Sequence, residues 1–479
     1  MLLWIVLGTI ALGGYLFALS KRLSTPDPSA HTYIAPTMSD EELAKLAIPT
    51  FQDMADAMKA HGPATGKAYI VVGGSGLVGQ YIVRTLLARG ETLVRIIDVT
   101  EPNISTEDVD AVTIDSLSRA EFVRADVTDY QSIADAISRP FGNTGRTAEV
   151  VIHTAGAIRN FERLGYLKHL SYRVNVQGTN NVIKASQELG TVGSFVYTST
   201  AAVWVRPSNY LKLGLFGTRW GAVVGDDTPE DIPRLTDHYT STKLESEALV
   251  RAADGVKGIR TGILRPGMYA RYVLMVSYNT DASELKGYTG SGIYIRCALG
   301  QPQVLKNPKV NPTWGGKFIN GILNAWDLGR AHVLLSDALF DRPEEVAGQP
   351  FAITGQHTAH PNHEVRRILQ FYSRNGLRFR KIPELPLYLL SYALEAYLLA
   401  RYLALNTTSK VTGAQVSPVP QWATKSRILY LQPAMWELNL VDVVVDDSRA
   451  RKVLGYRNQW STEQTLKWTM EGAEGQRAS

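Results

Sequence analysis

Tyr239 and Lys243 stand four positions apart in the segment Tyr-Thr-Ser-Thr-Lys, so a helix would carry both side chains on one face. A free tyrosine titrates near pH ~10, which is too high for a base at neutral pH. A nearby ammonium group favours the phenolate, which can take the proton of an alcohol while hydride leaves the carbon for a nicotinamide. The pair therefore predicts alcohol dehydrogenase chemistry, although the same spacing also occurs by chance on solvated helix faces.

A hydroxyl group must also hold the substrate oxygen, and Thr200 is the candidate. It ends a predicted buried strand over residues 193–200, and α/β sheets present their ligands at the carboxyl ends of parallel strands. Its neighbour Ser199 is expected to face the opposite side of the strand. His153 lies within another apolar segment and is interpreted as a packed strand residue rather than a catalyst.

A glycine-rich turn follows the apolar segment 68–72 and precedes a helical pattern. This arrangement lets the backbone approach a pyrophosphate and places the anion on a helix N-terminus. The spacing is Gly-x-x-Gly-x-x-Gly rather than Gly-x-Gly-x-x-Gly, so an ordinary glycine turn remains an alternative at this point. The residues predicted to contact a cofactor here are Gly73, Gly76, Leu77, Val78 and Gly79.

Acidic residues end the next two predicted strands. Asp98 lies at the tip of the second strand, where it can accept hydrogen bonds from the adenosine ribose hydroxyls. Because its carboxylate would repel a 2′-phosphate, Asp98 favours NAD over NADP. Asp126 and its neighbour Val127 are expected near the adenine ring, with a turn carboxylate that binds no ligand as the alternative for Asp126.

The remaining cofactor contacts are predicted at the ends of two further strands. Ala155 follows the strand at 150–153, where small residues let a cofactor lie close, and Pro266 ends a strand that runs towards the nicotinamide. Alternating strands and helices from residue 67 predict an α/β fold with a Rossmann-type, doubly wound parallel sheet. We predict an anchor at 2–19, a linker and juxtamembrane helix at 20–66, a nucleotide-binding domain with the catalytic pair at 67–265, and a smaller substrate-binding region at 266–479 that returns elements to the core.

Composition excludes several classes of protein. The 479 residues are 45% hydrophobic and 20% charged, which is ordinary for a globular chain. The net charge of +5 is small for this length and no dense basic stripe is present, so no nucleic-acid partner is expected. Cys297 is the single cysteine of the sequence, which rules out an intrachain disulfide and fits a reducing compartment.

The N-terminus predicts a membrane anchor. Residues 2–19 carry no charge and are long enough to cross a hydrocarbon core, and Lys21 and Arg22 follow at once. The positive-inside rule then leaves the rest of the chain in the cytosol, most naturally at the endoplasmic reticulum. A cleaved signal peptide is the competing interpretation. Glycan on either sequon, at Asn103 or Asn406, would show that the orientation is reversed.

Two further features bear on partners. Residues 383–405 are strongly apolar but include Glu384, Glu395 and Arg401, so a core helix pair or an interfacial surface is favoured over a second span. Three histidines spaced by three residues follow position 356, yet Pro361 argues against one helix that would make them converge on a metal. No metal site is predicted.

The order of these motifs resembles the extended short-chain dehydrogenase/reductase superfamily and, within it, the 3β-hydroxysteroid dehydrogenase family. The resemblance covers roughly residues 67–471 and includes a long insertion at 271–317 that would form a substrate wall or lid. The matching motifs are Gly73-x-x-Gly76-x-x-Gly79, Asp98, Asp126, Asn175-Val-x-Gly-Thr, Thr198-Ser199-Thr200, Tyr239-x-x-x-Lys243 and Leu264-Arg265-Pro266-Gly267-Met268-Tyr269, with support from 225–229, 327–332 and 446–456.

The resemblance implies a role for each catalytic candidate. Tyr239 would accept the proton, Lys243 would orient the cofactor ribose and lower the tyrosine pKa, and Thr200 would stand where the family usually has serine. It implies NAD-dependent oxidation of a 3β-hydroxyl on a sterol-like substrate, most closely like a sterol-4-carboxylate 3-dehydrogenase, whose β-keto acid product loses CO₂ readily. A 3β-hydroxy-Δ5-steroid dehydrogenase/isomerase, a ketone reductase, a non-catalytic membrane-bound NAD scaffold and a homodimer stay open.

Overall fold

A seven-stranded parallel sheet forms the centre of the protein, in the spatial order β3-β2-β1-β4-β5-β7-β9. The computed structural model describes residues 1–102, 117–159, 161–205, 208, 210–213, 222–225, 237–267, 310–374, 376–412, 419–420, 422 and 427–473. Its strands are β1 Ala68–Val72, β2 Leu93–Asp98, β3 Glu121–Arg124, β4 Val150–His153, β5 Ser194–Thr198, β6 Ala222–Gly225, β7 Arg260–Pro266, β8 Val310–Thr313, β9 Pro350–Ile353, β10 Arg378–Lys381 and β11 Val443–Asp446.

The helices alternate with these strands as the sequence pattern predicts. In chain order they are α1 Leu2–Leu23, α2 Asp40–Lys45, α3 Phe51–His61, α4 Leu77–Arg89, α5 Tyr130–Ser138, α6 Lys168–Tyr172, α7 Gly178–Leu189, α8 His238–Ala252, α9 Ala325–Asp341, α10 Pro343–Val346, α11 Asn362–Tyr372, α12 Glu384–Thr412, α13 Pro433–Asn439, α14 Ser448–Val453 and α15 Thr462–Ala473. A π-helical turn over Arg173–Gln177 joins α6 to α7. The predicted doubly wound parallel sheet is confirmed.

Helices cover both faces of the main sheet. One face packs with α3, α4 and α9, and the other with α5, α7 and α8. Gly329 lets α9 approach α4 closely, because a Cβ there would lie 2.7 Å from the Tyr81 carbonyl oxygen. In the second layer, α8 packs against β7 and α7.

The C-terminal part of the chain contributes directly to this core. Strand β9 extends the main sheet beside β7, and β11 returns from near the C-terminus to pair with β6. Strands β8 and β10 form a further parallel pair. Strands from beyond residue 266 are therefore interleaved with those of residues 67–265, while the predicted division into domains stays a prediction.

The N-terminal segment differs in detail from the prediction. The prediction of one juxtamembrane helix within residues 20–66 is wrong, because Pro49 interrupts the helical pattern and α2 and α3 form instead. Each begins with its own capping box, Ser39 with Glu42 and Thr50 with Asp53. The predicted linker before them includes a 3₁₀ turn, Pro28–Tyr33, and is hydrogen-bonded to Ala359 through residues 33–35.

Several predictions fall wholly or mainly outside the described residues. They concern the sequon at Asn103, the cysteine Cys297 and the substrate wall or lid at 271–317. The apolar segment 383–405 lies almost entirely within α12, a continuous helix of 29 residues rather than a helix pair. Among the described helices, only α1 is long and apolar enough to cross a bilayer, and a signal sequence meets the same criterion.

Candidate active site

The glycine turn between β1 and α4 is shaped for close approach of a ligand. Gly73 has a φ of +82°, and a Cβ there would lie 2.5 Å from the Ala155 backbone nitrogen. At Gly79 a Cβ would come within 2.2 Å of the Gly73 carbonyl oxygen, so a side chain cannot fit. The turn ends in Gly76, the N-cap of α4, followed by Leu77 and a half-buried Val78. The glycines of the turn thus leave the backbone at the amino end of α4 open to close approach by a ligand, as the binding of an anion there requires.

Asp98 ends β2 next to this turn. Its carboxylate accepts hydrogen bonds from the backbone amides of Ser75, at 3.1 Å, and Val99, at 2.7 Å. Burial raises the pKa of Asp98, and the backbone hydrogen bonds act in the opposite direction. The structure therefore brings the predicted ribose carboxylate to the glycine turn, and the same carboxylate also braces that turn.

Asp126 and Val127 follow β3 and differ in burial. The Asp126 carboxylate is exposed and accepts a hydrogen bond from the Thr128 backbone amide at 2.8 Å, so it serves the local turn. Val127 is buried against Gly178, where a Cβ would lie 2.7 Å from a valine methyl carbon. The predicted adenine contact at Asp126 stays a prediction.

The predicted catalytic pair lies in the first two turns of α8. Asp237 caps the helix and accepts a hydrogen bond from the Thr240 backbone amide. Because Tyr239 and Lys243 are four residues apart in this helix, they lie one turn apart, and both are buried. The Lys243 Nζ donates to the Thr198 carbonyl oxygen at 2.7 Å and lies 6.0 Å from the centre of the Tyr239 ring. A Cβ on Gly156 would be 3.2 Å from that Nζ. The ammonium thus lies among the carboxyl ends of the strands.

The electrostatics of Lys243 suit a tuning role. Burial lowers its pKa to about 7, and the carboxylate of Glu247 acts in the opposite direction. Nearby His153 is fully buried, and burial together with the Lys243 charge lowers its pKa to about 3. Its Nε2 lies 3.0 Å from the Thr179 hydroxyl. This placement agrees with the interpretation of His153 as a packed strand residue.

Thr200 follows β5 at the same edge of the sheet. Its hydroxyl oxygen accepts from the Ala202 backbone amide at 3.1 Å, capping the 3₁₀ turn Ala201–Trp204 that packs against α8. Because the hydroxyl accepts there, its proton can still be donated to a ligand. Pro266 ends β7 at the same edge, two strands from β4. The structure thus gathers the predicted strand ends around one site.

Two supporting residues escaped the sequence reasoning as functional candidates. Asn175, in the π turn, accepts from the Ala157 backbone amide at 2.7 Å and donates to the Thr242 hydroxyl at 2.9 Å. It therefore ties the loop after β4 to α8. His332 on α9 makes a 2.7 Å hydrogen bond with the Thr198 side chain. Both fall in quoted motifs, but spacing alone could not assign their partners.

A network of buried charges connects α8 to β7 through Glu247 and Arg265. Glu247 accepts from the Arg265 Nε at 2.9 Å and from the Ser199 hydroxyl, and it also pairs with Arg251 at 3.2 Å. Glu247 and Arg265 are fully buried. Ser199 is therefore engaged away from the substrate hydroxyl, and the regular four-residue step from Tyr239 through Lys243 to Glu247 is the signal that could have found this carboxylate.

The three spaced histidines do not converge. His360 bonds the Glu463 carboxylate at 2.6 Å, His363 faces the Gly316 carbonyl oxygen, and His357 lies 3.7 Å from Asp447. Over the described part of the chain, no three potential ligands are grouped around a metal-sized space.

Comparison with known proteins agrees with this arrangement. The 3-beta hydroxysteroid dehydrogenase/isomerase family model matches residues 70–273, from β1 through α8 and β7. The matched segment is less than half of the 479-residue chain, and over that segment the chain is similar to this family. The resemblance to this family predicted from the motifs is therefore confirmed.

Relatives of known activity lie within the same 3β-hydroxysteroid dehydrogenase family. A Mycobacterium tuberculosis 3 beta-hydroxysteroid dehydrogenase/Delta 5→4-isomerase is 32% identical over 272 residues, covering 55% of this chain and 60% of that protein. Isoform 1 of an Arabidopsis thaliana 3beta-hydroxysteroid-dehydrogenase/decarboxylase is 29% identical over 41% of this chain and 40% of its own length. The alignments thus span about half the length of these relatives.

A mouse relative extends the alignment towards the C-terminus. The Mus musculus 3 beta-hydroxysteroid dehydrogenase type 7 is 27% identical, over 85% of this chain and 96% of its own length. Among solved structures, a UDP-glucose 4-epimerase from Thermotoga maritima matches with a TM-score of 0.53 at 16% identity, over 84% of this chain and 97% of its own. At that identity the likeness supports the fold alone.

Proposed function

We propose that this chain is an NAD-dependent dehydrogenase that oxidises the 3β-hydroxyl of a sterol, a steroid or a related polycyclic terpenoid to the 3-ketone. One observation carries the proposal: Tyr239 and Lys243 share a face of α8 at the sheet edge that also presents Thr200 and the glycine turn. Names of the family relatives supply the substrate class. A hydrophobic substrate also suits a chain with an apolar N-terminal helix.

The residues present fit a dinucleotide. Side chains are excluded at Gly73 and Gly79, which leaves room for a pyrophosphate at the amino end of α4. Asp98 would hold the adenosine ribose, and Lys243 and Pro266 would flank the nicotinamide half. NAD, when bound, supplies the acceptor for the hydride. The Asp98 carboxylate disfavours the additional phosphate of NADP.

The protein's own groups handle the proton. Thr200 donates a hydrogen bond to the substrate oxygen and orients the alcohol, while Tyr239 as the phenolate takes its proton. Lys243 stabilises that phenolate by its charge, so a tyrosine can act as a base near neutral pH. The alcohol thus loses a proton to Tyr239 and a hydride to the cofactor, leaving a carbonyl group.

A second step follows for one substrate class. If C4 carries a carboxyl group, the 3-ketone is a β-keto acid, which loses CO₂ without a further catalytic residue. The decarboxylase name of the Arabidopsis relative favours this version, whereas the isomerase name of the mycobacterial relative favours migration of a Δ5 double bond into conjugation. A reductase of another ketone in specialised metabolism is the remaining enzyme alternative.

Substrate turnover separates these outcomes. Full-length protein in mild detergent is incubated with NAD and a panel of 3β-hydroxysteroids with and without a 4-carboxyl group. NADH formation with CO₂ release supports decarboxylating oxidation, and an absorbing conjugated enone supports the isomerase. No NADH from any substrate overturns the dehydrogenase proposal and leaves the non-catalytic NAD-binding scaffold.

The proton acceptor is tested by Tyr239→Phe. Loss of the phenol should lower kcat by about 10²–10⁴-fold, the range for a positioned general base. Tyr130→Phe is the matched control, since Tyr130 bonds Glu188 on the surface of α5 and α7. Equal turnover by both variants would refute the mechanism. In parallel, Asp98→Ala should weaken NAD binding, and unchanged affinity would remove its ribose role.

The membrane arrangement is a proposal of the same kind. Helix α1 spans a bilayer once, and Lys21 and Arg22 at its end keep residues 24–479 in the cytosol, at the endoplasmic reticulum. Expression in cells should leave Asn103 and Asn406 without glycan. Glycan on either asparagine would place the catalytic region in the lumen, and removal of residues 1–20 from the mature protein would favour a signal peptide.

A further inference from the structure

Thr198, the last residue of β5, is held from both faces of the main sheet. From one face, the Lys243 Nζ on α8 donates to its carbonyl oxygen at 2.7 Å. From the other face, the Nε2 of His332 on α9 lies 2.7 Å from its side-chain hydroxyl. The three residues are at most 6% exposed. Thr198 therefore connects the predicted catalytic lysine to a histidine in the opposite helical layer.

The Thr198 carbonyl oxygen lies just beyond the point where the neighbouring strand ends. The register of β4 and β5 stops at the pair His153–Tyr197, one residue before Thr198. A backbone amide further along the β4 chain, that of Ala155, donates to Val72 on β1 instead. The carbonyl oxygen is therefore outside the paired part of β4, where the ammonium group of α8 reaches it.

The hydrogen-bond roles of His332 follow from its partners. Its Nδ1 lies 2.8 Å from the Leu328 carbonyl oxygen, which can only accept, so Nδ1 carries a proton. Burial lowers the pKa of His332 to about 4, and the bond to Leu328 acts in the opposite direction, so the ring is neutral at neutral pH. The Nε2 is then an acceptor, and the Thr198 hydroxyl donates to it.

His332 supplies a restraint where the strand ladder provides one on a single side. At the end of β5, the chain is held by β7 through the Ser199 amide, which donates to the Leu264 carbonyl oxygen at 2.7 Å. Threonine is branched at Cβ, and its rotamer is coupled to its backbone conformation. An acceptor on α9 that fixes the Thr198 side chain therefore also restrains the carbonyl oxygen that receives Lys243.

Helix α9 holds this acceptor firmly. Gly329, three residues before His332, lies against α4, and a Cβ there would be 2.7 Å from the Tyr81 carbonyl oxygen. On the β7 side, a Cβ on Gly262 would be 2.9 Å from a methyl carbon of Leu335. The same helix therefore packs closely on α4, whose amino end is the proposed pyrophosphate site, and reaches the residue that binds the lysine.

We propose that His332 is a positioning residue that sets the place of the Lys243 ammonium group through Thr198. In the proposed mechanism Lys243 orients the cofactor ribose and stabilises the Tyr239 phenolate. A displaced ammonium group therefore weakens NAD binding and slows proton abstraction, while contacts with the steroid are unchanged. This inference rests on the proposed function.

Two substitutions break the connection from either end. His332→Leu removes the acceptor, and Thr198→Val removes the donated hydroxyl with little change in shape. Steady-state kinetics and calorimetric titration of the full-length protein in mild detergent give kcat, the KM of each substrate and the Kd for NAD. Each variant should raise the Kd for NAD and lower kcat by about 3–10-fold, the range for one hydrogen bond, with the steroid KM unchanged. The double variant should lose no more than either single variant.

Two further variants separate positioning from packing. Thr198→Ser keeps the hydroxyl and should restore most of the NAD affinity that is lost in Thr198→Val, a comparison that stands even if His332→Leu does not fold. Ser336→Ala is the matched control on α9, because Ser336 is fully buried and its hydroxyl bonds the Val333 carbonyl oxygen of the same helix. It should leave both constants at their wild-type values.

The outcomes distinguish this inference from the proposed function. A wild-type Kd for NAD in His332→Leu and Thr198→Val overturns the inference and leaves the dehydrogenase proposal intact. A lower kcat with every KM unchanged would assign the hydrogen bond to stability alone, and additive losses in the double variant would show that the two residues act separately; either result also overturns it. Absence of NADH formation by the wild-type protein overturns the proposed function itself.

Discussion

Helices α8 and α12 both depart from the usual pattern of apolar residues inside and polar residues outside, α8 by burying polar groups and α12 by exposing apolar ones. Helix α8 buries polar groups, among them Tyr239, Thr242, Lys243, Ser246 and Glu247. Helix α12 exposes leucine and tyrosine and turns a glutamate inward. Both patterns are costly for a soluble fold, since buried charge loses hydration and exposed apolar surface orders water.

The two helices differ in whether these unusual side chains have partners within the described part of the protein. The buried polar groups Thr242, Lys243, Ser246 and Glu247 of α8 all have hydrogen-bond partners, such as Thr198 for Lys243 and Asn175 for Ser246. The polar groups that α8 buries are therefore held in place by hydrogen bonds within the protein. The outer face of α12, which includes Leu389, Leu390, Leu399 and Leu403, is exposed among the described residues and has no comparable polar contacts there. Each prediction below tests one side of this contrast.

The largest effect is expected from Lys243→Met, which keeps the length of the side chain and removes its charge. The tyrosine phenolate loses its stabilising cation, and kcat should fall by about 10²–10⁴-fold. Steady-state oxidation kinetics measure this loss. Lys184→Met, at an exposed site on α7, serves as the control. An active Lys243→Met variant would show that the buried charge is merely structural.

Next in size is the effect of Glu247→Gln on stability. The substitution leaves the Arg265 guanidinium buried without its counter-charge, so unfolding free energy should fall by about 3–5 kcal/mol. Glu245→Gln is a matched control on the same helix, because Glu245 pairs with Lys168 on the surface and should contribute at most about 1 kcal/mol. Urea denaturation compares them. Equal losses of unfolding free energy in the two variants would mean that burial does not make the Glu247 ion pair more important for stability than the Glu245 pair.

The neighbouring leucines of α12 provide the third comparison. Leu398 is fully buried in a cluster with Val203 and Trp204, and Leu398→Ala should cost about 2–5 kcal/mol through lost packing and a cavity. Leu399 is exposed, and Leu399→Ala in detergent should change stability by no more than about 0.5 kcal/mol. Thermal unfolding of both variants measures the contrast. A large loss at 399 would reveal a protein partner for the outer face.

The smallest signal is a pH slope. Lys243 has its pKa lowered by burial to about 7, against an ordinary value of 10.5, so the unfolded chain binds more protons between these values. Stability of the cofactor-free protein should therefore gain from this group as pH rises from about 7 towards 10. Lys243→Met should reduce that gain, as measured by urea midpoints at several pH values. An unchanged slope would show that Lys243 titrates normally.

The sequence predicted most of the fold from local signals. Strand and helix periodicity located β1, β2, β4 and the helices between them, because each element alternates with a glycine or polar turn. The break at Pro49 was missed because the capping box at Thr50 restarts a helix in an otherwise continuous pattern. Strand β11 was missed as well, since its partner β6 lies over 200 residues away.

Residue types and spacing alone predicted the Tyr239–Lys243 pair, the glycine turn, Asp98 and the resemblance to the family, because each is a local pattern in the sequence. Tertiary structure alone decided the partners of Glu247, the clamp between Arg163 and Glu395, and the side of α12 that faces out. Those contacts join residues far apart in the chain, and hydropathy cannot say which apolar residues the fold will cover. The physical reason is that burial belongs to the packed chain rather than to any segment of it.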